Sequence, residues 1–330
     1  MSDTKDDVYE LITEEQIRDA EEHRSPEVRR TPLLSNVQTL FPEVEDKHVN
    51  LSLKLESMQT TGSFKFRGIM NQIRFIPPEV KSGEKKLITM SAGNYGKAFG
   101  HVTKELGLKG LCLIPKFAPA NRVDVIKGYG VEIIPTPNEE LQPTVDRYVQ
   151  EMGYVYTHPF DDLHLIAGYS SLGSEILESR PLPDVVVVCC GGGGVLAGVA
   201  TAIKLRRPEC KVYGVEPERA PTMFESFKAG HAVTMPSVKS IASGLSPPFA
   251  GKITYNHCRK YVDDILLVSD DEIRAAVKRL YHAGLVVEAS GSAAMAAMLF
   301  DKIPDVNGKN VVIVITGGNV TPDELVKLCE

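Results

Sequence analysis

The 330-residue chain carries 37 Lys and Arg against 43 Asp and Glu, a formal charge of −6 that leaves no basic excess for nucleic-acid phosphates. At 43% hydrophobic and 24% charged residues it has the composition of an ordinary globular protein, and its length exceeds what one hydrophobic core usually supports, so two domains are expected. The acidic opening "MSDTKDDVYE" has no apolar signal core, and six cysteines without a CxxC pair, Cys189 and Cys190 inside an apolar run, fit reduced, buried thiols in a cytoplasmic protein.

Along the chain, Thr13 with Gln16 three residues on has capping-box spacing and announces a helix. "VNLSLKLES" (49–57) alternates as a strand, and a helix is expected to start near Ser63. Then come "KKLITM" and "SAGNYGKAFGHVTKELG", "GLCLIP" and "APANRVDVIKGYG", "VEIIP" and "EELQPTVDRYVQEMG", and "YVYTHP". A second series runs through "DVVVVCC" with its glycines, "KVYGVEP", the helix at 269–284 capped by Ser269 and Glu272, and "NVVIVITGGN". Strands alternating with helices mean parallel βαβ units and an α/β fold. The uncharged stretch 185–203 approaches membrane-span length, but its β-branched start and four glycines read as a buried strand feeding a helix, not as a membrane segment.

Four stretches could carry chemistry. "TTGSFKFRG" (60–68) sets Lys65 between Phe64 and Phe66, an apolar setting that disfavours an ammonium. "CCGGGG" (189–194) ends a strand and opens a helix; bare backbone amides at a helix N-terminus suit a phosphate, although a tight turn that binds nothing would look the same. It is neither a Walker A loop nor a GxGxxG fingerprint, which points to a cofactor smaller than a dinucleotide. "SAGNYG" (91–96) could hold a carboxylate or merely cap its helix, and Thr316 in "ITGGN" could offer a hydroxyl or merely end a strand.

In this order the stretches resemble fold-type II pyridoxal-phosphate enzymes of the serine/threonine dehydratase and serine racemase family. The resemblance runs from Thr31 to Val320 through "TPLL", "TGSFKFRG", "SAGNYG", "HPFDD", "GGGGVLAG", "VEP", "VEASG" and "TGGN". It implies two open, twisted, mostly parallel sheets flanked by helices, with pyridoxal 5'-phosphate between two domains. Lys65 would form the Schiff base and Phe64 pack near the ring. Gly191, Gly192, Gly193 and Gly194 would bind the phosphate. Asn94 would bond the ring hydroxyl, and Thr316 would face the pyridine nitrogen. Ser91, Ala92, Gly93, Asn94 and Tyr95 would surround the substrate. The family also implies a large domain from 1–85 and 159–330, a small mobile domain at 86–158, and a homodimer acting on a small amino acid.

Ala92 stands where racemases of this family carry a serine that serves the second face of the substrate. A methyl group carries no proton, so the resemblance favours dehydration of L-serine or L-threonine to a 2-oxo acid and ammonia; the alternative is a serine racemase or a bifunctional enzyme. The stretch "EPERAPT" supplies Glu216, the Ala220 carbonyl and Thr222 where racemases hold a divalent cation with two carboxylates. One carboxylate suits potassium better than magnesium or manganese, and an ordinary strand-end glutamate without an ion is an equal reading. His158 is read as structural, Phe160 as a candidate pocket residue of unknown facing, and Glu288 as lying near the ring with its role open. The chain ends eleven residues after Asn319, without the regulatory domain of biosynthetic threonine deaminases, so no feedback by isoleucine is expected.

Overall fold

Strands and helices alternate through most of the chain in the computed structural model, which describes residues 10–45 and 47–330; residues 1–9 of the acidic opening lie outside it. The strands are β1 (Leu33–Leu34), β2 (Asn50–Leu55), β3 (Leu87–Met90), β4 (Gly110–Pro115) and β5 (Glu132–Thr136). They continue as β6 (Val155–Tyr156), β7 (Val185–Cys189), β8 (Lys211–Pro217), β9 (Asp264–Val268) and β10 (Asn310–Ile315). Six form one sheet in the order β1-β2-β10-β7-β8-β9, parallel apart from β1. The others form a second, wholly parallel sheet, β5-β4-β3-β6. The α/β class and the two mostly parallel sheets are as the sequence led us to expect.

The centre of the larger sheet is covered on both faces, which is why β7 and β10 read as unbroken apolar runs. Every residue of β7 is buried, and the helix Ala289–Leu299, buried along its whole length, lies against β7 and β10. Its Ala, Ser and Gly side chains permit that close approach. On the opposite side the helices Leu163–Leu177 and Gly194–Arg206 pack on each other. The smaller sheet has its own core around Ile88, Leu111, Leu113 and Val145.

Register decides where the site lies. β10 pairs with β2 from Asn310↔Asn50 to Ile315↔Leu55, and with β7 from Val311↔Val185. The carboxyl ends of the central strands therefore align, and open α/β sheets place ligands beyond such ends. The uncharged stretch 185–203 is β7, a turn and a helix, and among the described residues no helix is long and apolar enough to cross a membrane. The capping boxes at Thr13/Gln16 and Ser269/Glu272 form with both reciprocal bonds. The helix expected near Ser63 starts at Lys65 instead, because Ser63 is held in a bridge to Gly317.

Candidate active site

Lys65 opens the helix Lys65–Gln72, and the segment before it is tied to the end of β10. The Phe64 N–H donates to Thr316 O at 3.1 Å and the Gly318 N–H to Gly62 O at 2.9 Å. Lys65 Nζ donates to Pro159 O at 2.6 Å and sits 5.1 Å from the Phe64 ring and 5.7 Å from that of Tyr95. Burial pushes its amine down to about 7. The two rings around the amine are thus Phe64 and Tyr95, and the expectation that Phe66 is the second is corrected. Successive helical side chains diverge by about 100°. Phe66 accordingly turns into the core, where it is fully buried and packs edge-on against His101.

Beyond β7, Gly191, Gly192 and Gly193 turn the chain and Gly194 opens the helix Gly194–Arg206. Gly193 has φ +91°, a backbone region that disfavours other residues, and a Cβ on Gly192 would stand 2.3 Å from the Phe160 ring. The Ala197 N–H is bonded to Gly193 O at 2.8 Å, so the amides before it are the open donors of a helix start. Two residues outside the expected set hold this turn. Thr254 Oγ1 donates to Gly192 O at 2.7 Å, and the Asp161 carboxylate accepts the N–H groups of Lys252 and Thr254 at 3.0 and 2.9 Å. Phe160 is buried, with its ring against Gly192, His158 and Phe249.

The loop after β3 supplies a second helix N-terminus, that of Asn94–Glu105. Ser91 Oγ accepts the Gly93 N–H at 3.3 Å, and Ala92 presents a methyl group to the cleft. Asn94 Oδ1 accepts from Asn319 Nδ2 at 2.7 Å, while its Nδ2 donates to Glu288 Oε1, which leaves one amide hydrogen for the cleft. Burial pushes Glu288 up to about 7, and the Asn94 bond opposes that shift. Tyr95 needs a correction of detail: it is buried, and its hydroxyl donates to Gln72 Oε1 at 2.6 Å. Only its ring and backbone are left to meet a substrate. Tyr95→Phe is expected to cost about 1 kcal/mol of stability and to leave the product mixture unchanged, checked by denaturant titration and product assay. A changed product ratio would restore the hydroxyl as a proton carrier.

Thr316, the residue after β10, is buried and contacts Cys189 at the end of β7, with Oγ1 and Sγ 3.1 Å apart. His158 is structural: its Nδ1 accepts from the N–H groups of Phe160 and Asp161, and burial, then Lys65, pushes it down to about 3. Glu216 is fully buried and spends its oxygens on the N–H groups of Met223 and Phe224 at 2.8 and 2.9 Å, where the helix Thr222–Ala229 begins. Thr222 Oγ1 donates to Pro247 O at 3.1 Å. Burial pushes Glu216 up to about 8. Its carboxylate is employed as a helix cap.

One cleft of about 440 Å³ is lined by every residue expected to contact cofactor or substrate; Glu216, Ala220 and Thr222 lie outside it. Sequence reasoning missed Cys189, Arg122, Ser243 and Ser290, which also line it. Arg122 Nη1 donates to Ser243 Oγ at 2.9 Å across the cleft, joining the segment of the smaller sheet to that of the larger. The residues fit a phosphorylated aldehyde. A turn without side chains offers amides to an anion, and an amine that is half neutral near pH 7 faces the same space. Ser63 Oγ, in the segment carrying Lys65, is moreover buried without a partner among the described residues.

Comparison with known proteins agrees with that chemistry. The chain is 35% identical to an L-threonine ammonia-lyase of Thermotoga maritima over 313 residues, 94% of this chain and 76% of that protein. It is 35% identical to the catabolic L-threonine dehydratase TdcB of Staphylococcus aureus over 309 residues, 92% of this chain and 88% of the relative. The structure of maize serine racemase superposes with a TM-score of 0.87 at 32% identity, covering 96% of this chain and 98% of the other. The profile described as "Pyridoxal-phosphate dependent enzyme" matches residues 24–317, and with the two sheets and the lysine-floored cleft this places the chain in the fold-type II pyridoxal-phosphate dependent enzyme family.

Proposed function

We propose that this protein is a hydroxy-amino-acid ammonia-lyase that converts L-threonine or L-serine into the 2-oxo acid and ammonia. The observation that carries the reading is a cleft with one lowered amine, Lys65, and a methyl group, Ala92, in the loop where racemases of the family carry a second proton donor. The threonine ammonia-lyase and dehydratase relatives support it.

Pyridoxal phosphate, bound in the cleft, supplies an aldehyde that condenses with amines and a ring that takes up the electrons released at Cα. The protein does the rest. The glycine turn and its helix start would hold the phosphate, and the Ser91–Asn94 helix start the substrate carboxylate. Lys65 Nζ would take the Cα proton, which it can do only when neutral, and the Pro159 carbonyl would fix where that nitrogen points. Water leaves across Cα–Cβ, and hydrolysis of the resulting enamine returns it, so the balance is hydroxy amino acid to 2-oxo acid and ammonium.

Within this reading, residues 86–158 form the small mobile domain, supported by the complete second sheet between Leu87 and Tyr156, and Arg122 closes it onto Ser243. Glu216, the Ala220 carbonyl and Thr222 would take a monovalent cation such as potassium only through the lone pairs that the bonds to Met223, Phe224 and Pro247 leave. A bound cation would have to draw Glu216 back to its charged form, one carboxylate among neutral oxygens then matching a single charge. A homodimer in the cytoplasm completes the reading; the buried free thiols fit a reducing compartment.

Racemisation is the second reading. Glu288, in the same cleft and pushed up to about 7, is a second group able to carry a proton. The product mixture from L-serine decides between them. Pyruvate with little D-serine is expected, and abundant D-serine would hand the assignment to racemisation. Ala92→Ser should raise the D-serine to pyruvate ratio several-fold; an unchanged ratio would show that the missing hydroxyl is not what limits racemisation.

A further inference from the structure

We propose that Cys189 is a positioning residue that orients the Thr316 hydroxyl so that its hydrogen points into the cleft, toward the ring nitrogen of the cofactor. The inference rests on the proposed cofactor placement and goes beyond it to a residue that the motifs do not include. β7 and β10 are neighbouring parallel strands at the centre of the large sheet, and their ends bring Cys189 Sγ to 3.1 Å from Thr316 Oγ1. Both residues line the cleft with Lys65, and both are at least 98% buried, so water does not compete for the contact. The Thr316 carbonyl is already engaged by the Phe64 N–H, which fixes the backbone on which the hydroxyl turns.

The contact has two possible senses. A thiol is a weak donor and its sulfur a weak acceptor, whereas a hydroxyl oxygen accepts well. The better arrangement pairs the strong donor with the strong acceptor: Thr316 O–H to a pyridine nitrogen, and Cys189 S–H to the Thr316 oxygen. Burial pushes the Cys189 thiol up to about 12, so it keeps its proton at neutral pH and remains a donor. A ring nitrogen that receives a hydrogen bond without a proton is a weaker electron sink. That favours prompt loss of the β-hydroxyl over the long-lived carbanion that racemisation needs.

The test is spectroscopic. In the full chain, the infrared difference between wild type and Cys189→Ala isolates one S–H stretch, expected at the lowered frequency of a donating thiol. In Thr316→Val it should move up to the free-thiol position. A free-thiol frequency in the wild type would overturn the proposal. The second arm reads the ring nitrogen in holoenzyme loaded with ¹⁵N-labelled pyridoxal phosphate. Cys189→Ala should shift that resonance toward an unbonded pyridine, and Cys189→Ser, which keeps a donor, should restore it. If Thr316→Val shifts the resonance and Cys189→Ala does not, the proposal fails while the cofactor placement stands. If neither variant shifts it, the proposal fails together with the placement of Thr316. A wild type that takes up no cofactor refutes the functional reading itself, and the infrared arm still decides the sense of the Cys189 contact.

Discussion

Lys65→Met is expected to lower kcat for water elimination from L-threonine by roughly 10³- to 10⁴-fold, the size of a lost general base, while the cofactor-free protein melts no lower than wild type. The two effects have one cause. Burial holds the amine at about 7, so at neutral pH the fold bears the cost of an enclosed, partly charged nitrogen that an apolar side chain of similar length would not impose. Lys65→Arg should be as inactive as Lys65→Met, because a guanidinium keeps its charge and cannot take a proton. The same lowered value fixes a pH dependence. The neutral amine is about a tenth of the population one unit below the pKa and about nine-tenths one unit above it. Uptake of pyridoxal phosphate by the cofactor-free protein, followed by visible absorbance, should therefore climb through pH 7. Uptake that is flat between pH 6 and pH 8 would show that enclosure does not neutralise Lys65. For stability the sign is the same: from about pH 7 up to the ordinary lysine value of 10.5 the unfolded chain binds more protons at this residue, so its contribution grows more favourable as pH rises.

What the sequence made legible follows from how locally each feature is determined. Strands such as β7 and β10 stood out because burial on both faces leaves an unbroken apolar run. The capping boxes stood out because all four of their groups lie within four residues. The helix Leu163–Leu177 escaped notice for the opposite reason: residues 165–176 are all buried, so no polar face marks a 3.6-residue period. β9, an edge strand of five residues, shows only four apolar positions in a row. Around the site, the motifs singled out Lys65, the glycine turn and Thr316, which line one cleft. They could not tell that Tyr95 rather than Phe66 completes the apolar setting of the amine, since that depends on the packing of two helices. Cys189 reads as core because it ends a run of valines; only the strand pairing shows that it meets a hydroxyl 127 residues away. Nor does the spacing of "VEP" and Thr222 reveal that Glu216 caps a helix with its oxygens.

Arg67, two residues beyond Lys65 on the same helix, carries the other large effect: Arg67→Met is expected to cost about 3–5 kcal/mol of stability, read as a drop in the urea midpoint. Arg67 reaches Glu56 through Nε at 2.7 Å and Nη2 at 2.9 Å, and Glu175 through Nη1 at 2.8 Å and Nη2 at 2.9 Å. Neither Arg67 nor Glu56 has any exposed side-chain surface. Lys54 and Arg24 also donate to Glu175, at 2.6 and 2.8 Å, whereas Glu56 otherwise receives the Thr31 hydroxyl. Burial works against the Arg67 charge, but Glu56 and Glu175 outweigh it and raise its affinity for the proton. Removing the guanidinium thus strands Glu56 most, as a buried carboxylate with one neutral donor. The double variant Arg67→Met/Glu56→Leu should recover more than half of the loss, because an apolar pair in place of a buried ion pair leaves no orphaned charge. No recovery would mean that Arg67 matters for packing and not for charge. Acid should weaken the cluster in wild type as well. Burial raises the Glu175 carboxyl, yet Arg67 and Lys54 win and hold it below its ordinary 4.5. Its contribution is complete above that value and disappears as the pH falls through the lower, folded one. A cluster so buried, on the helix that begins with Lys65, ties the first turn of that helix to Glu56 and Glu175 and so fixes the backbone from which the Lys65 side chain enters the cleft.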